Sequence, residues 1–124
     1  MGQQIKMTAG DISVQAEFND SQTAKAITQA LPIEAKGSRW GGEIYFPIEV
    51  RMKLEQGCRD VLEAGELGYW PTGNAFCIFF GKTPASKGDE IRAASDVNII
   101  GKITGDSQSL RDVPDGVKVV IEKI

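Results

Sequence analysis

Four aromatic side chains, Trp40, Tyr45, Trp70 and Phe76, stand among glycines and close to Asn74 and Glu43. Tryptophan and tyrosine each pair a large apolar body with a polar tip, which suits a half-exposed groove for a peptide or a small molecule. Arg39 adjoins Trp40, and aromatic-lined grooves recognise proline-containing segments. Glu43 follows Gly41-Gly42 and precedes the aromatic run Tyr45-Phe46, a place from which its carboxylate would reach a groove's rim. The candidate ligand-binding set is therefore Arg39, Trp40, Glu43, Tyr45, Trp70, Asn74, Phe76 and Arg92, with Arg39 as the candidate catalytic residue. Two structural alternatives stand beside this reading. The aromatics could instead plug the interior and ends of a β-barrel, and Arg39, Arg51 and Arg92 could each be an exposed surface charge.

Several other chemistries are excluded by residue type. The chain has no histidine, which removes Ser-His-Asp and Cys-His nucleophile systems and every His-ligated metal site; no metal and no cofactor is expected. Gly81-Lys82-Thr83 resembles the end of a phosphate-binding loop, but Phe76 stands where that loop needs glycine, and Pro84 follows where a helix should start. Glu63, Glu66, Asp89 and Glu90 are spread without the spacing of an acid/base pair, so a solvated surface accounts for them. Cys58 and Cys77 show no Cys-x-x-Cys spacing, and both are expected reduced, with Cys77 a small buried hydrophobe in the run Ala75 to Phe80.

The elements that must position these residues fit in one domain, residues 1–124, large enough for a self-sufficient core. With 41% hydrophobic and 25% charged residues the chain is ordinary globular material. Seventeen acidic residues outnumber fourteen scattered basic ones, which leaves no basic stripe for a nucleic acid. No apolar run approaches a bilayer span and no signal-peptide core is visible, so the expected address is cytoplasmic, away from any membrane. Gly2 does not make a myristoylation site, because Lys6 stands where Ser or Thr is needed.

Along the chain, Ile5 and Met7, then Ile12, Val14, Ala16 and Phe18, alternate with polar residues on either side of Gly10, the pattern of a hairpin with one buried face. The period then changes. Asn19 is placed to cap a helix over residues 20–31, whose narrow face of Ala24, Ile27 and Leu31 suits a lid across the end of a barrel. From Ile33 onward short strands separated by Gly and Pro are expected, with Ile48, Val50, Met52 and Leu54 alternating as one of them. Further strands fall at 60–63, 66–70, 75–80, 97–103 and 117–124, with an exposed loop at 82–89 and a helical turn at 107–113. The last strand is apolar on both faces and belongs in mid-sheet. The count is seven or eight strands and two helical pieces.

Thr72-Gly73-Asn74-Ala75-Phe76-Cys77-Ile78-Phe79-Phe80-Gly81, followed by Asn98-Ile99-Ile100-Gly101-Lys102-Ile103, resembles the cyclophilin fold. The helix opening Ser21-Gln22-Thr23-Ala24-Lys25 is similar to the one that follows the first hairpin in that fold. A tighter likeness is to short prokaryotic cyclophilin-like domain proteins of uncharacterised function, carried by Arg39-Trp40-Gly41-Gly42-Glu43-Ile44-Tyr45-Phe46, Gly68-Tyr69-Trp70-Pro71-x-Gly73-Asn74 and Ile91-Arg92-Ala93-Ala94-Ser95. The resemblance implies a mainly β protein, a closed eight-stranded barrel with one or two capping helices. In proline-isomerising cyclophilins an arginine on an outer strand face hydrogen-bonds the prolyl amide as it rotates. A guanidinium can lower a rotational barrier of about 18–20 kcal/mol in this way without proton transfer, so the lack of histidine does not itself forbid isomerisation. This chain lacks the Phe-Met-x-Gln-Gly-Gly segment of those enzymes, and Arg39 is the arginine nearest the catalytic one in sequence. The expected function is peptide or small-ligand binding in an aromatic groove. The alternatives are weak peptidyl-prolyl isomerisation and an accessory or homo-oligomeric interaction protein.

Overall fold

The computed structural model describes residues 2–124. The first hairpin is present as read: β1 (Gln4–Ala9) and β2 (Ile12–Phe18) pair antiparallel with Ala9 opposite Ile12, and Gly10 takes the turn at φ +62°. Ile5, Met7, Val14, Ala16 and Phe18 face the interior. Helix α1 (Gln22–Ala30) is shorter than expected, and its N-cap is Ser21, whose hydroxyl accepts from the Ala24 N–H at 3.1 Å. Asn19 is engaged elsewhere, its amide donating to the Ile99 carbonyl at 2.7 Å. A carboxylate distant in sequence completes the cap: Glu55 accepts from the N–H groups of Gln22 and Thr23, and its charge favours the positive end of the helix.

The other strands are β3 (Ile33–Lys36), β4 (Ser38–Trp40), β5 (Glu43–Pro47), β6 (Arg59–Leu62), β7 (Glu66–Trp70), β8 (Ala75–Phe79), β9 (Ile91–Ile103) and β10 (Lys118–Lys123). They form an antiparallel sheet in the order β3-β10-β1-β2-β9-β7-β8-β5-β4, with β6 added to β9. The expected closed eight-stranded barrel is thus corrected to ten strands in a sheet whose end strands share no ladder. The chain passes at Gly37 from β3, paired with β10, to β4, paired with β5, so the two ends of the sheet are joined by the covalent chain and not by a ladder; a Cβ at Gly37 would meet Val119 and Ile44 methyls at 2.8 and 3.1 Å. β10 does lie in mid-sheet, with Val119 and Ile121 buried, although Ile124 on its end is exposed.

Two apolar clusters lie on opposite faces of the sheet. The interior holds Phe18, Phe46, Tyr69, Phe76, Ile78 and Ile100, with Phe46 and Phe76 stacked at 5.3 Å. The outer cluster holds Leu62, Cys77, Phe79, Ile91, Ala93 and Val97. β8 is buried on both faces, which explains its unbroken apolar run. The outer cluster exists because β9 is longer than expected, starting at Ile91 rather than Val97, so its first half lies across the outside of the sheet with β6 beside it.

Residues 48–54 are not a strand, contrary to the alternation of Ile48, Val50, Met52 and Leu54. Their backbone groups bond to side chains and loops instead of a ladder: Ile48 N–H to the Asn74 carbonyl, Met52 N–H to the Tyr69 hydroxyl, and Glu55 N–H to Asn98 Oδ1. Val50 is buried while Ile48 and Met52 pack against the core and Leu54 is exposed, so the period of two reports burial as far as Met52, without strand pairing. Tyr69 also donates to the Val50 carbonyl at 2.6 Å. Tyr69→Phe leaves that buried carbonyl and the Met52 N–H without partners and is expected to cost about 1–3 kcal/mol, measured by urea denaturation. A change within experimental error would show that water replaces the hydroxyl.

Candidate functional site

The turn joining β4 to β5 is Trp40-Gly41-Gly42-Glu43, with Trp40 directly opposite Glu43 in the register and Gly41 at φ +60°. Both glycines are required by contact. The Gly42 N–H donates to the Lys82 carbonyl at 2.7 Å, and its carbonyl accepts from Phe80 and Gly81 at 2.9 and 3.1 Å. A Cβ on Gly42 would lie 2.3 to 2.5 Å from Gly81 backbone atoms. The turn is therefore clamped on the 80–82 backbone, which holds Trp40 and Glu43 side by side on the outer face.

Strand alternation extends that face. Tyr45, two residues from Glu43, pairs with Cys77 on β8, and Cys77 pairs with Gly68 on β7. Gly68 has no side chain, and Val97 of β9 fills the space, 2.8 Å from where a Cβ would stand. Trp70, at the end of β7, donates its indole N–H to the Ser95 hydroxyl at 2.6 Å, which fixes the ring against β9. Trp40, Glu43, Tyr45, Trp70, Cys77, Ala93, Ala94 and Val97 enclose a cavity of about 210 Å³ that opens to solvent past the half-buried rings.

The electrostatics of this cavity centre on one carboxyl. Glu43 is only 5% exposed, and burial pushes its pKa from 4.5 up to about 7, against a smaller downward pull from the Cys77 thiol beside it. The Cys77 thiol is raised well above its ordinary range, first by its own burial and then by Glu43. Cys77 is therefore a neutral wall of the cavity rather than a thiolate nucleophile. Among the described residues no group of three or more Cys, Asp or Glu is arranged to hold a metal ion.

The family model for Cyclophilin-like proteins matches residues 3–122. The chain belongs to the cyclophilin-like family. Among solved structures, that of a hypothetical protein from Archaeoglobus fulgidus, determined in solution, is 38% identical and superposes with a TM-score of 0.84, covering 99% of this chain and 95% of that one. No curated protein matches the chain. Among the described residues of this cyclophilin-like chain, no helix is long and apolar enough to cross a membrane.

Within this cyclophilin-like sheet, the structure brings together Trp40, Glu43, Tyr45 and Trp70 and sends the other candidates elsewhere. Arg39, next to Trp40, points to the opposite face by alternation. Its guanidinium donates to the carbonyls of Gly41, Arg111 and Val113 at 2.6 to 3.1 Å and lies 5.0 Å from the Phe80 ring centroid. Phe76 is wholly buried in the interior cluster. Asn74 takes a left-handed conformation at φ 48° after the short 3-10 turn, with its side-chain oxygen 3.1 Å from the Tyr69 hydroxyl. Arg92 pairs with Asp60 and Glu90 at 2.9 and 3.1 Å on the outer rim. Glu90 is in turn held down to about 2 by the Lys87 N–H, the Arg92 guanidinium and the Gly88 N–H, so this pair stays ionised at any working pH.

Sequence reasoning passed over Ala93, Ala94, Ser95 and Val97 as site residues. Small side chains at 93 and 94 leave the cavity open, and Ser95 aims Trp70. The signal is the segment Ile91-Arg92-Ala93-Ala94-Ser95, which the sequence offers only as a family likeness.

Proposed function

We propose that this cyclophilin-like protein is a binding module that takes a compact small ligand in the outer-face cavity. The observation that carries the reading is the convergence of Trp40, Tyr45 and Trp70, from three strands, around a buried carboxyl in an otherwise apolar cavity. Concave apolar sites with few polar groups are where small molecules bind. At about 210 Å³ the space is below the roughly 300–1,000 Å³ of drug-sized sites, which favours a small molecule or a single ligand group over a folded partner. Proline isomerisation through Arg39 would need that guanidinium free, and it is spent on three backbone carbonyls on the other face.

Trp40 and Trp70 are the two tryptophans of the chain, and both line the cavity, so intrinsic fluorescence reports on this site. Screening metabolite-sized compounds and proline peptides by tryptophan fluorescence, with the indole N–H signals followed by NMR, is expected to give saturable hits. Trp70→Ala is expected to weaken any hit by about tenfold or more, as removal of a central aromatic anchor does. Hits that keep their affinity in Trp70→Ala would place binding elsewhere, and no perturbation of either indole would count against the module.

A further inference from the structure

The cavity holds one carboxyl and three half-buried aromatic rings, and no Lys or Arg is among its lining residues. We propose that it binds a compact organic cation, an alkylated ammonium group of a small molecule, with Glu43 as the counter-charge and the rings of Trp40, Tyr45 and Trp70 around the methyl groups. The proposal rests on reading the cavity as a ligand site and adds the charge and class of what fills it.

Charge is the first argument. A buried carboxylate needs a paired cation, hydrogen-bond donors or a proton. The ion pairs among the described residues engage Glu34, Asp60, Glu63, Glu66 and Glu90 and none engages Glu43, whose neighbouring donor is the weak one of the neutral Cys77 thiol. An anionic ligand would meet this carboxyl with no basic side chain to hold it. A hard metal ion asks for six or more oxygen ligands, where the cavity offers one carboxylate.

The rings give the second argument. Aromatic faces attract cations, by about 2 kcal/mol or more when the pair is desolvated. Among the described residues no ring or guanidinium takes up the faces in the cavity, although Trp70 also packs on Gly73. The aromatic pairs among the described residues, Phe18–Phe76 and Phe46–Phe76, lie in the interior, and the guanidinium over a ring is Arg39 on Phe80. An unsubstituted ammonium is strongly hydrated and would need several acceptors in place of its water. An alkylated one keeps its charge and presents methyl groups, which suit apolar walls of alanine, valine and aromatic carbon.

Size and protonation agree. About 210 Å³ leaves room for a small head group whose tail leaves by the open side. The titratable groups facing Glu43 are Tyr45 on its own strand and Cys77 on β8; β4, β7 and β9 contribute Trp40, Trp70, Ala93, Ala94 and Val97. Because burial holds the Glu43 carboxyl up to about 7, a cation that requires its ionised form binds more weakly as pH falls below that value.

The test uses choline and its neutral isostere 3,3-dimethylbutan-1-ol, titrated against the full chain by tryptophan fluorescence near pH 8 and near pH 5. The expected result at pH 8 is saturable binding of choline at least about tenfold tighter than of the alcohol, with the difference shrinking at pH 5. Glu43→Gln, whose unfolding transition checks that the fold is kept, is expected to bring choline down to the affinity of the alcohol. Equal binding of the two probes to the parent protein, or an unchanged preference in Glu43→Gln, overturns the cation assignment while leaving a ligand site in place. Binding of the alcohol alone does the same. Failure of both probes to perturb either tryptophan overturns the assignment, and the wider compound screen then decides the ligand-site reading separately.

Discussion

Glu43→Gln is expected to stabilise the protein at pH 8 by about 3 kcal/mol and to leave its stability unchanged at pH 4. The carboxyl titrates near 4.5 when unfolded and at about 7 in the folded state, because burial disfavours its charge. Below 4.5 both states hold the proton and the group contributes nothing to the pH dependence. Between 4.5 and 7 the unfolded chain releases its proton first, so stability falls as pH rises. Above 7 the full cost of a buried charge is present. Glutamine keeps the shape and cannot ionise, so it escapes that cost. Urea denaturation of both proteins at pH 4, 6 and 8 reads the effect. A difference that does not grow with pH would mean that Glu43 is solvated or paired in the folded state. A residue that weakens the fold at neutral pH is the kind kept for binding rather than for stability.

The second large effect belongs to the turn that carries this carboxyl. Gly42→Ala is expected to destabilise by about 3 kcal/mol or more and to abolish ligand responses at the tryptophans. Its Cβ has no flexible neighbour to push aside, because the atoms 2.3 to 2.5 Å away are Gly81 backbone. The β4–β5 turn must then lift from residues 80–82, and the bonds from Gly42 to Lys82, Phe80 and Gly81 stretch or break, each backbone group left unpaired costing about 1–3 kcal/mol. Gly57→Ala is the control. Gly57 also has a positive φ, +92°, but nothing lies within 4 Å of its Cβ position, so only the backbone strain of roughly 1 kcal/mol remains. Similar losses for the two variants in denaturant unfolding would refute the clamp.

Much of the architecture could be read from local patterns, because alternation of burial is a property of short segments. Ile5, Met7, Val14, Ala16 and Phe18 place β1 and β2, and the apolar run Ala75 to Phe80 reads as a strand with Cys77 inside it, one residue longer than β8. The same alternation in residues 48–54 does not make a strand. There the period of two arises from docking on the core, and the hydrogen bonds go to Asn74, Tyr69 and Asn98, partners from distant strands and turns that no local window contains. The helix cap was misplaced for a related reason. Asn19 has the right chemistry for a cap, yet its side-chain oxygen accepts from the Ser21 N–H before the helix while Ile99 holds its amide, so Ser21 caps instead and Glu55 supplies the second acceptor from outside the helix.

For the site, the sequence alone determined the residue types and their clustering, Trp40 and Glu43 flanking two glycines with Tyr45 two residues on, and left open whether the rings share a groove-lining face or plug the interior. It also determined which chemistries are absent, since a chain without histidine cannot assemble a histidine-based centre. Only the tertiary structure decided that Trp70 joins that face while Arg39, Phe76, Asn74 and Arg92 do not. The physical reason is that a side chain's face depends on the register of its strand and on what packs over it. The long β9 lies across the outside of the sheet, turns an exposed surface into a cavity, and buries the Glu43 carboxyl. The aromatic groove of Trp40, Tyr45 and Trp70 owes its acidic group to Glu43 and its depth to that strand.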